Sequence, residues 1–446
     1  MWIIVMASLL TVLYGAPTLA GRGIIVDPAW AYYKDRSAQS IAEEIKVNGY
    51  DEVHLIRADD ELVKTFTEAG LRVWLLTFVN GVYDRQVLPQ QWEAWRMKLR
   101  KKPDPAGFTM LCPNNPDYRA WKKQNLASTL LSHQFYGIDL AEPQMPAYPG
   151  PDSEYYGCFC EHCLDAFKRL YPEVICFPDF DDPKSPYYWK NNPELYAKWV
   201  EFRVATVVNW LNDLVNGENG IRRSCPKVKV ATWSLGLDVP DQLAKLREWQ
   251  AMDAAEIVRV VKPDFHVIQT DWPDWIKTEL APDYPKSYKP VFDSICRVAP
   301  SLPILLQTDI GSKPNMRRSR DWIANVEETA RKLGYAGVFH YEYHLGEYIY
   351  SEPPRPIKAF YEGNTVKVLF NKRLDPIKAS DTANYSLTSG SVESARVDGN
   401  IVYLCVTGVS SGSILTVSGL ADDPSRRLFH DRPACAMPGT CEIVVK

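Results

Sequence analysis

Glu142 closes the apolar run FYGIDLAE (135–142), and Pro143 follows it directly. A carboxyl at the end of an apolar strand is partly desolvated. That raises its pKa and suits it to donate a proton near neutral pH. Further on, three thiols are spaced Cys158-x-Cys160-x-x-Cys163, on a segment running into the helix-like HCLDAFKRLY. Thiols this close in sequence do not readily pair with one another as disulfides. They can converge on one tetrahedral ion if a fourth ligand arrives. Cys112, in LCPNNPDYRAW, is the first choice for that ligand and His162 the reserve. The ion would be zinc, structural and closed to substrate.

Polar and aromatic residues recur where other apolar runs end. They are Asp27 and Trp30; Arg57, Asp59 and Asp60; Asp139; Trp233 and Asp238; Asp271 and Trp272; Asp309; and Glu342, Tyr343 and His344. Carboxylates interleaved with flat rings suit glycoside hydrolysis. One carboxyl protonates the leaving oxygen, and a second attacks the anomeric carbon or activates water. Glu142 is the candidate acid/base. Asp309 is the preferred partner, with Glu342 behind it. Trp30, Arg57, Asp139, Trp233, Asp271, Trp272, Tyr343 and His344 are candidate substrate contacts. The plain alternative is that strand ends are polar because they meet solvent. His54 reads as a core residue and His340 as a possible pocket residue. Arg317, Arg318 and Arg320, in KPNMRRSRDW, read as a solvated helix start.

The elements that must position these residues alternate along the chain. Strand-like runs occupy 23–30, 52–59, 72–79, 135–142, 228–236, 264–272, 303–311 and 337–344. Each is near-continuously apolar, as a strand covered on both faces should be. Between them lie helical patterns such as SAQSIAEEIKVNG and RDWIANVEETARKLG, both ending on Gly. Eight such units predict a (β/α)8 TIM barrel over 21–358, with its chemistry at the C-terminal ends of the strands. A doubly wound open sheet loses its main support because no Gly-rich phosphate loop follows the first run. From about 359 to 446 the pattern becomes period-two and is punctuated by Gly, Asn, Asp and Ser, which predicts a small all-β sandwich.

Two resemblances follow. CPNNPDYRAW, then an apolar strand ending in Glu, then CFCEHCLDAF, resembles the clan A barrels of glycoside hydrolase family 42, the β-galactosidases. The resemblance implies that Cys112, Cys158, Cys160 and Cys163 bind zinc. It also implies that Glu142 is the acid/base, that the nucleophile lies on strand seven at Asp309, and that Arg57 contacts it, where a solvent-facing salt bridge of Arg57 to Asp59 or Asp60 is the plain alternative. The specific match spans Cys112 to Phe167. The chain departs from the family in having Ala141 where an Asn usually precedes the acid, and an Asp in place of the nucleophilic Glu. The run VKVLFNKRLDP through NYSLTSG to LTVSGLAD resembles the Ig-like modules of exported bacterial proteins.

The first twenty residues, with an apolar stretch ending in Thr18-Leu19-Ala20, match a secretory signal peptide, although no Lys or Arg precedes the stretch. A secreted, periplasmic or cell-surface location is therefore expected, with no later membrane span. In that setting Cys435 and Cys441 are spaced for a local disulfide. The net charge of −4 and the absence of a long basic run give no footprint for nucleic acid. Fourteen Trp and 24 Tyr favour an oligo- or polysaccharide partner, although cores use such rings too. The rival readings are a non-catalytic carbohydrate-binding barrel and a metal-dependent hydrolase. The latter needs an open metal position, which four thiolates do not leave.

Overall fold

The computed structural model describes residues 21–104, 107–342 and 346–446. The expected signal segment 1–20 and the candidate contacts Tyr343 and His344 lie outside the described residues. Eight parallel strands close into a barrel: β1 (Gly21–Val26), β2 (Glu52–Leu55), β3 (Arg72–Phe78), β4 (Gly137–Ala141), β5 (Lys229–Gly236), β6 (Phe265–Thr270), β7 (Ile304–Asp309) and β8 (Gly337–Tyr341). Each pairs in register with its chain neighbours, and β8 closes on β1 through Gly21↔Gly337 to Ile25↔Tyr341.

The near-continuous hydrophobicity has the predicted cause. Side chains alternate across each strand, and both faces are covered. Inward residues Ile25, Trp74, Leu76, Trp233, Val267, Leu305 and Phe339 fill the barrel. Outward residues such as Ile24, Val73, Leu140, Ile268 and Leu306 pack under the helices. Several helices start on side-chain caps. Ser37 accepts from the Ser40 amide ahead of Ala38–Val47, and Ser319 caps Arg320–Leu333, which stops at Gly334. Among the described residues, no helix is long and apolar enough to cross a membrane.

After the barrel, seven short strands form two antiparallel sheets. One, ordered β9-β10-β13-β12, contains β9 (Pro356–Glu362), β10 (Thr365–Phe370), β12 (Ser391–Asp398) and β13 (Ile401–Thr407). The other, ordered β11-β14-β15, contains β11 (Tyr385–Leu387), β14 (Ile414–Val417) and β15 (Cys441–Val444). Val366, Val368 and Leu404 of the first share a core with Leu415 and Val417 of the second. Polar ties join this module to the barrel. Arg317 forks onto Asp431 at 3.0 and 2.6 Å, and Arg373 Nη1 donates to the Tyr32 and Lys34 carbonyls. Arg318 donates to the carbonyls of Thr278 and Lys277, and Arg320 pairs with Glu352. The three arginines of KPNMRRSRDW are therefore scaffold. The expected Cys435–Cys441 disulfide is not formed: both thiols are free, and Cys435 Sγ instead donates to the Ser351 carbonyl at 3.3 Å.

Candidate active site

The C-terminal mouth of the barrel opens into a cavity of about 740 Å³, and both preferred carboxylates line it. Glu142 leaves β4 with φ +48, a left-handed conformation that a β-carbon disfavours. Surrounding contacts hold this turn in place. The Val79 amide donates to the Ala141 carbonyl at 2.8 Å, and Asn80 Nδ2 donates to the carbonyls of Pro143 and Gln144. Further along the same loop, the buried Arg203 donates to the carbonyls of Gly157, Pro146, Glu248 and Trp249. Gly150 crosses Trp249 so closely that a β-carbon would lie 2.2 Å from the indole. Held in this way, the Glu142 carboxyl accepts one hydrogen bond, from Gln269 Nε2 at 3.2 Å. Burial raises its pKa, and that hydrogen bond pulls the other way without cancelling the rise.

Asp309, at the end of β7, is held by its own turn. Its Oδ1 accepts from the amides of Gly311 (2.7 Å) and Ser312 (2.9 Å), and its Oδ2 accepts from the Ser312 hydroxyl. Gly311 has φ +134, which only glycine adopts readily. Burial again raises the carboxyl pKa, while these donors favour the ionised form. The cavity thus joins an acid with little hydrogen bonding to a second acid that has three local donors. Environments this different push two carboxyls toward different roles.

Of the candidate substrate contacts, Trp30, Arg57 and Trp233 also line the cavity. Arg57 Nη1 donates to Asp84 at 3.0 Å and its Nε lies 3.4 Å from Asp27, so its partners are neither Asp59 nor Asp60. The others are placed differently. Glu342 is fully buried, accepts from the Asp27 amide at 2.8 Å and does not line the cavity. Burial drives its pKa far above the carboxylate range. Asp139 is no substrate contact: it points into the barrel interior, where it pairs with His54 Nδ1 and accepts from Trp233 Nε1. His54 itself is core, as expected, sandwiched between Phe339 and Trp74. Burial alone would lower its pKa, but the Asp139 charge overrules that and lifts it to about 9. Asp271 is buried behind the cavity wall, capping the short helix Trp272–Trp275, and desolvation lifts its pKa to about 7. Trp272 projects from the rim, 45% exposed. His340 faces outward onto Glu327, away from the mouth.

Residues that the sequence reading passed over complete the wall: Gln269, Gln307, Tyr83, Trp275, Tyr341 and Lys122. Gln269 and Gln307, register partners on β6 and β7, had a visible signal as amides inside the apolar runs VIQT and LLQT. Tyr83 sits in an aperiodic loop and gave none. Lys122 Nζ is buried with only the Thr77 hydroxyl and the Phe78 carbonyl as partners, each at 2.8 Å, and burial lowers its pKa to about 7.

Beside the mouth, Cys112, Cys158, Cys160 and Cys163 bring their sulfurs within 4.8 Å of one another, largely buried. Cys112 lies 3.4 Å from Cys160 and 3.6 Å from Cys163. These separations are far beyond a disulfide bond. They are close to the edge of a tetrahedron whose centre lies about 2.3 Å from each sulfur, the zinc–thiolate length. Asn115 caps the helix Pro116–Ser132 just after Cys112, and Cys160 is the N-cap of Glu161–Leu170. The cluster therefore ties two helix starts together next to the loop carrying Glu142. His162 is not part of it.

No protein-family model and no curated protein matches the chain. Solved structures do. The glycoside hydrolase domain of PgaB (BpsB) from Bordetella bronchiseptica superposes with a TM-score of 0.50 at 13% identity, over 72% of this chain and 93% of that one. The β-galactosidase from Bacillus circulans sp. alkalophilus gives 0.50 at 14%, over 73% and 50%. The chain shares their fold. At this identity the likeness extends to the barrel architecture alone, and this chain spans about half the length of that β-galactosidase.

Proposed function

We propose that the protein is an exported glycoside hydrolase in which Glu142 is the acid/base and Asp309 the second carboxylate. The observation that carries this reading is that both carboxyls line one cavity at the C-terminal mouth, in environments that separate their roles. Glu142, whose pKa burial raises, gives its proton to the leaving oxygen. With Asp309 as nucleophile, it then takes one from the water that completes hydrolysis. Asp309, fixed by its three donors, faces the anomeric centre as nucleophile or as base for water. Trp30 and Trp233 offer ring faces, and Arg57 offers a donor. Ala141 leaves no amide where family 42 places one, and Gln269 and Gln307 are amides lining the cavity that can meet sugar hydroxyls. The glycoside hydrolases that share the fold support the reaction class.

The four thiols fit zinc by donor type, spacing and burial. In this reading zinc closes the loop scaffold and takes no part in the reaction, since four thiolates leave it no open position. The C-terminal sheets are read as an Ig-like module that supports the barrel at the cell surface.

The deciding comparison is wild type against Glu142→Gln on a broad panel of aryl glycosides and oligosaccharides. Loss of about 10²- to 10⁴-fold in kcat with sugar binding retained supports the assignment. A wild-type protein that binds glycans but cleaves none would make the barrel a carbohydrate-binding module instead.

A further inference from the structure

Single exposed aromatic residues are ordinary and carry no message alone. Two on this rim differ in how they are held. Tyr83, 62% exposed, lines the cavity and is fixed by near-perpendicular contacts with Phe78 (5.4 Å) and Phe108 (4.7 Å). Trp272, 45% exposed, is fixed in the same way against Tyr148 (5.7 Å), which itself stands edge-on to Trp249 (5.2 Å). Among the described residues Trp272 is the one Trp in the exposed range. No parallel aromatic stack involving either ring occurs among the described residues.

Their positions around the barrel follow from topology. Tyr83 belongs to the loop after β3, Glu142 ends β4, and Trp272 follows β6. Strand order therefore sets the acid between the two rings. Trp272 also leans on Tyr148, which belongs to the acid's own loop. The cavity, lined by Tyr83 and by Trp275 of the short helix that Trp272 begins, holds several times the volume of one hexose. A pocket for a terminal sugar would be walled on one side. Here a held ring follows a strand on each side of the acid's own strand in the barrel order.

We propose that the chain binds a glycan laid across the mouth, with sugars on Tyr83 and on Trp272, and cleaves a bond inside it. This rests on the hydrolase reading above. Water supplies the balance: the internal C1–O bond breaks, the leaving oxygen keeps the Glu142 proton, and the anomeric carbon ends with a hydroxyl from water. The proton lost by that water restores Glu142 directly, or, where Asp309 is the base, passes to Asp309 and returns to Glu142 by exchange with solvent.

The test uses the full chain with end-labelled six-unit and two-unit oligosaccharides of glucose, galactose and N-acetylglucosamine in both anomeric series. The expected early products are internal fragments. For Trp272→Ala and Tyr83→Ala, the kcat/KM ratio of six-unit to two-unit substrate should fall about tenfold. Trp272→Phe, which keeps a flat ring, should recover most of that ratio, and unchanged melting temperatures would exclude misfolding. Early release of terminal monosaccharides alone, or equal loss on both lengths, overturns the proposal and leaves the hydrolase reading standing. No cleavage by wild type overturns both.

Discussion

Gln269 Nε2 donates to Glu142 Oε1 at 3.2 Å, joining an amide on β6 to the acid at the end of β4 across the barrel mouth. A hydrogen bond to an ionised carboxylate lowers its pKa, so this contact restrains the rise that burial causes. Replacing Gln269 by Leu should therefore raise the Glu142 pKa further. A general acid then stays protonated to higher pH. The alkaline limb of the kcat/KM profile should move upward, while kcat falls if the amide also meets substrate. An unmoved limb would remove Glu142 as the titrating acid.

The choice between Asp309 and Glu342 is also open to measurement. Asp309 lines the cavity and Glu342 sits behind it against the Asp27 amide. Asp309→Asn should cost about 10³-fold in kcat, whereas Glu342→Gln, which keeps an acceptor for that amide, should stay within about tenfold of wild type. Product stereochemistry read by NMR then gives the course: retention for carboxyls about 5 Å apart, inversion for about 6.5–9.5 Å.

The His54–Asp139 pair predicts a pH-dependent stability. The folded pKa of His54 is raised to about 9, above about 6.5 in the unfolded chain. The stabilisation is thus complete below about pH 6.5 and disappears as pH rises through about 9, amounting to roughly 3–4 kcal/mol at most. Unfolding of wild type and His54→Gln in urea at a series of pH values checks this. The variant should be less stable at pH 6 and lack that decline.

If the four sulfurs hold zinc, metal analysis should find about one ion per chain. Chelation should lower the melting temperature and slow refolding, with activity lost only as the fold is lost. Cys160→Ser should behave like partial chelation. Selective loss of activity at full helical content would point to a catalytic metal.

Much of this molecule was legible because burial on two faces writes itself into composition. The eight apolar runs of β1 to β8, their helical partners and the switch to period-two alternation after about residue 359 are local patterns with local causes. The cysteine spacing was legible for the same reason, since it lies on two short segments. The failures were at strand ends. Asp139 and Glu142 lie three residues apart on one strand and its exit, yet one turns into the sealed interior against His54 and the other into the mouth. Glu342 and Asp309 both end strands, but only one reaches the cavity. Parity and apolar pattern do not say which layer of the barrel is closed by side chains from other strands.

By itself the sequence determined the barrel, the trailing β module, the thiol quartet and the carboxyl at 142, because periodicity and spacing act between near neighbours. Only the tertiary structure decided which carboxyls share a cavity, that Gln269 meets Glu142, and that Arg317 and Arg318 are scaffold. Those outcomes depend on strands far apart in the chain closing on one another, and on the desolvation and long-range partners that closure creates.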